Sequence, residues 1–114
     1  MVNRQLLSAL EHFDVIAQNK HSTHYRRMSI DDALAEANKA ERVAADALRR
    51  SRSDEQYWML TVIHDGFQTL GAMFSYAKQH PGKPIPLPTS ALPGSNEGIL
   101  QYLREWRELL PRVE

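Results

Sequence analysis

Five histidines in 114 residues are the first place to look for chemistry, because an imidazole can bind a metal or carry a proton near neutral pH. His21 and His24 share a His-x-x-His spacing, His12 lies upstream, and His64 is followed by Asp65. A metal-dependent enzyme or metal-binding bundle would need His12, His21, His24 and His64 to converge. The spacings that mark such bundles in a sequence, Glu-x-x-His and His-Glu-x-x-His, do not occur. Adjacent helical residues diverge by about 100°, so His64 and Asp65 are expected to point apart rather than to hydrogen-bond each other. The chain has no cysteine, no glycine-flanked serine nucleophile, no ordered Ser/His/Asp pattern and no glycine-rich phosphate loop. These residues therefore point to a non-enzymatic protein with no cofactor and no metal.

Recognition is better provided for than catalysis. Tyr57, Thr61, His64, Gln68 and Ser75, with Gly71, Ala72 and Gln79, recur at spacings of three and four and form a nearly uncharged row. A helix face that only meets water is usually filled with Glu and Lys, whereas this row carries groups that exchange hydrogen bonds at modest desolvation cost. Such a row either packs against another part of the chain or receives a partner. His21, His24, Tyr25 and Arg26 stand in a stretch dense in functional side chains and would extend the surface, since Tyr and Arg suit interface anchors. Tyr25-Arg26-Arg27 and Arg49-Arg50-Ser51-Arg52 are also the residues of a conceivable nucleic-acid patch, with Tyr25 stacking on a base. Fourteen basic residues balance fourteen acidic ones, however, which leaves no broad positive field to hold a phosphate backbone or an anionic membrane. Basic residues at a helix end also suit the macrodipole without any partner.

The elements that must position these residues read as helices. The longest runs over about 54–79: Ser53 and Gln56 form a capping box, Asp54 and Glu55 sit at the positive end of the dipole, and His80-Pro81-Gly82 closes it. Met59, Val62, Ile63, Gly66, Phe67, Leu70, Met73, Phe74 and Ala77 share one arc, which is expected to face the core along the whole helix. A second helix, about 30–52, starts at Ser29 and carries Ala33, Ala37, Ala40, Ala44 and Ala47 as a row of small residues suited to a close neighbour. That neighbour is expected to be the long helix near Gly66, or the same helix of a second subunit. Further helices are expected over about 3–19 and 96–110, with Leu6, Leu10, Phe13 and Ile16 lining the first and Leu103, Trp106 and Leu110 the last. Between 81 and 95, five prolines exclude a helix and favour an extended strap.

Length and composition fit one globular domain: 42% hydrophobic and 25% charged residues argue against disorder. No stretch is continuously apolar over the roughly 18 residues that a membrane span requires. The expectation is an all-α chain spanning 1–114 as one domain, a compact four-helix bundle with a proline-rich connection before its last helix, located in the cytoplasm. Its expected work is to bind another protein as an adaptor, inhibitor or immunity-type partner, with a homodimer compatible and neither nucleic acid nor membrane involved.

Overall fold

The computed structural model describes residues 24–85 and 96–110. Within them the chain is all-helical, with α1 over Ile30–Arg49, α2 over Asp54–Gln79 and α3 over Asn96–Leu109. Three helices are therefore present among the described residues, and a four-helix bundle is not established. The helix expected over 3–19, and residues 86–95 of the expected strap, lie outside the described residues.

Each helix boundary has a local cause. Ser29 caps α1 by accepting the Asp32 backbone N–H at 3.2 Å, next to the acidic first turn of Asp31 and Asp32. Expected to run to residue 52, α1 stops at Arg49. The Ser51 hydroxyl donates to the Leu48 carbonyl at 2.8 Å and the Ser51 backbone N–H donates to the same oxygen, so a side chain and a tightened turn satisfy a carbonyl left open by the helix end. Only a short connection separates α1 from α2, which folds them back as neighbours. Ser53 caps α2 by accepting the Gln56 N–H, while the Gln56 amide oxygen accepts from Arg52 N–H, one residue earlier than an ideal capping box requires. At the far end His80 stacks on Tyr76 at 4.4 Å and donates its backbone N–H to the Tyr76 carbonyl. Pro81 and Gly82 then turn the chain. Gly82 takes φ +78°, which an L side chain resists, and Lys83 N–H closes the turn on the His80 carbonyl.

The core lies around the C-terminal half of α2. Leu70, Met73 and Phe74 are fully buried, packed with Ala33 and Ala37 of α1, Leu103 and Trp106 of α3, and Tyr25. Tyr25 meets Phe74 edge-on at a ring separation of 5.4 Å. Ala33 and Ala37 at the start of the alanine row pack in one core with α2, and the two helices come close at Gly71. A Cβ there would stand 3.0 Å from Asn38 Oδ1. The expected core arc of α2 is only half realised. From Phe67 onward it is buried, but Met59 and Ile63 are exposed. The described core residues of α2 all lie at Phe67 or beyond. Opposite the earlier turns α1 presents small alanines, and no described helix supplies a third wall.

Candidate docking surface

The exposed members of that arc, Met59 and Ile63, belong to a set of large apolar side chains that stay in contact with solvent. Val43 of α1 and Tyr57, Trp58, Met59 and Ile63 of α2 are all at least 38% exposed, and Val43 reaches 63%. Between the helices runs an open groove of about 850 Å³. Its floor is formed by Ala40, Ala44, Ala47, Leu60 and Phe67, so the alanine row that lets the helices approach also leaves space where larger side chains would have stood. Met28 closes one end, and Asp32, Glu36 and Lys39 supply a polar rim on the α1 side.

The polar row of α2 behaves differently, because its polar groups find partners within the chain. The Thr61 hydroxyl donates to the Tyr57 carbonyl at 2.8 Å. His64 places Nε2 3.6 Å from a Glu41 carboxylate oxygen on α1 and Nδ1 3.3 Å from Asp65 Oδ1. The second contact corrects the expectation that neighbouring side chains on a helix stay apart. Their Cα–Cβ vectors do diverge, but rotation about the side-chain torsions brings ring and carboxylate together over the helix surface. Gln68 accepts from Arg107 Nη1 of α3, whose Nη2 lies 3.4 Å from Asp65 Oδ2. Ser75 accepts from Gln79 Nε2 at 3.4 Å. Tyr57 is the outward member, half-exposed and edge-on to Trp58 at 6.1 Å. The row thus joins α2 to α1 through His64 and to α3 through Gln68, and its Tyr57 end stays exposed.

The residues expected to extend the row divide likewise. Tyr25 is 1% exposed, held inside by Phe74, so its ring is not presented to a partner or a base. Burial, and secondarily the Glu36 charge, pushes the Tyr25 phenol up to about 12. His24 is exposed and pairs with Glu36 at 3.2 Å, which brings it to the groove rim, and Arg26 is half-buried. His21 and His12 lie outside the described residues. Among the described residues no three His, Cys, Asp or Glu side chains are grouped to hold a metal, and no helix is long and apolar enough to cross a membrane.

Periodicity alone did not find the groove. Val43 and Ile63 were visible as apolar positions, but their exposure depends on where the neighbouring helices stop supplying bulk. No protein-family model, curated protein or solved structure matches the chain.

Proposed function

We propose that this chain is a protein-binding module whose docking surface is the apolar face between α1 and the first half of α2. The observation that carries this reading is that the exposed Val43 and Ile63 line an alanine-floored groove, with the exposed Met59 one turn before Ile63 on the same helix. Apolar side chains exposed along a groove are costly in water and are a common mark of an interaction site when rimmed by polar residues. Asp32, Glu36 and Lys39 provide such a rim. The internal partners of His64, Gln68 and Ser75 add support, since they leave the polar row engaged in holding helices together. Tyr57 is the exposed end of the row and its member best placed to meet a partner.

A photo-crosslinking side chain at Met59, activated in cells producing the full chain, tests the reading. Adducts heavier than the chain are expected, and adding Ile63→Lys should abolish them. The melting temperature of Ile63→Lys should stay within a few degrees of the original, because a surface substitution away from packed groups changes stability by about 0.5 kcal/mol or less. A face that yields no adduct, or an Ile63→Lys variant that unfolds, would show that these residues meet no partner.

A further inference from the structure

We infer that the occupant of this face is a second copy of the same chain, docked with its α1 antiparallel to the first. The inference rests on the reading of the face as a docking surface and adds the identity of what covers it.

Charge supplies the first argument. The groove side of α1 begins acidic, with Asp32 and Glu36, and the helix ends at Arg49, Arg50 and the nearby Arg52. Two copies laid antiparallel therefore bring the acidic start of each against the basic end of the other, whereas parallel copies would set like against like. Glu36, Lys39, Val43, Asp46 and Arg50 follow one another at steps of three and four, so they share one stripe. With the two-fold axis at Val43, Glu36 of each copy faces Arg50 of the other and Lys39 lies diagonal to Asp46. Val43, the most exposed large apolar residue described, then meets its own counterpart. A balanced formal charge leaves no net repulsion between copies.

Shape agrees. An isologous contact uses the same patch on both partners, so that patch must carry protrusions and recesses together. Here the exposed Val43 and Ile63 line the groove floored by Ala40, Ala44 and Ala47, and Met59 lies one turn before Ile63. Two such helix pairs joined face to face close each other's missing wall, the arrangement by which four helices build a shared core.

The experiment mixes isotopically heavy and light full-length chains, each carrying a photo-crosslinking residue at Val43, and accompanies this with sedimentation of the original chain and three variants. The expected result is a dimer with heavy–light cross-links joining α1 to α1. Val43→Glu should weaken it by about 100-fold, since two carboxylates would face each other on the axis in a dewetted site. Glu36→Lys should weaken it by about tenfold, and adding Arg50→Glu should restore it to within about threefold, because the reversed pair keeps its complementarity. All three changes are at exposed positions, and unchanged helical circular dichroism checks that they fold. A monomer at about 100 μM overturns the inference. So do cross-links running only within one chain to residues 3–19, or a dimer indifferent to Val43→Glu. Adducts from Met59 to a different protein, found together with a monomer, would overturn the second copy while leaving the docking face standing.

Discussion

The buried phenol of Tyr25 gives the molecule a dependence on alkaline pH. Its folded-state value of about 12, against an ordinary 10, means that the folded chain holds the phenolic proton more tightly than the unfolded chain does. The stabilisation is therefore fully present below pH 10 and is lost as pH rises from 10 through 12, by on the order of 2 kcal/mol. Tyr25→Phe removes the titration and keeps the ring against Phe74. Urea midpoints of the two proteins between pH 9 and 11.5 should converge in the variant's favour as pH rises, and a constant difference would show that the phenol titrates alike in both states. Gly71 allows a second test at this scale. An added methyl would stand 3.0 Å from Asn38 Oδ1, the tip of an exposed side chain able to turn aside. Alanine also gains about 1 kcal/mol of helix propensity over glycine. Gly71→Ala should thus stabilise the chain by about 0.5 kcal/mol, whereas Gly71→Leu, which must displace packed atoms, should cost about 1–3 kcal/mol. Thermal unfolding of both variants decides the sign.

Helix signals in the sequence are chemical and local, which is why they translate into structure. Ser29 and Ser53 each accept an N–H three residues on, as their positions before acidic turns imply. Ser53→Ala should cost about 1 kcal/mol, and the loss should be accompanied by faster hydrogen exchange confined to the first turns of α2. Exchange that quickens equally across α2 would indicate that the cap is not acting locally. What the sequence could not display is how far a neighbouring wall extends. Met59 and Leu70 lie on the same calculated arc, yet one is 54% exposed and the other fully buried. Periodicity gives a direction around the helix axis and nothing about position along it. Thr69 was hidden for a different reason. It is fully buried because its hydroxyl donates to the Asp65 carbonyl 2.7 Å away, and a polar residue satisfied by its own helix leaves no mark in a hydrophobic pattern.

At the scale of the whole molecule, the three described helices are joined by two kinds of contact with separate consequences. Apolar packing around Leu70, Phe74, Leu103 and Trp106 supplies attraction without fixing a register. Orientation is assigned to polar groups that bridge elements: Lys78 to Asp31 at 2.7 Å, His64 to Glu41, and Arg107 to both Gln68 and Asp65. Lys78 and Asp31 are largely exposed, so solvent screens them and their pair contributes little. Arg107 and Asp65 are substantially buried, and their link ties α3 to α2 where water competes less. A double-mutant cycle of Asp65→Asn and Arg107→Met should give a coupling of about 1 kcal/mol. The Lys78→Met and Asp31→Asn cycle should give less than about 0.5 kcal/mol and vanish at 1 M salt. Loss of the Arg107 link should also raise hydrogen exchange in α3 more than in α1, because the described partner of α3 is α2 while α1 keeps its alanine packing. Equal couplings for the two pairs would mean that burial does not govern their strength, and the division between attractive core and orienting polar bridges would fail with it.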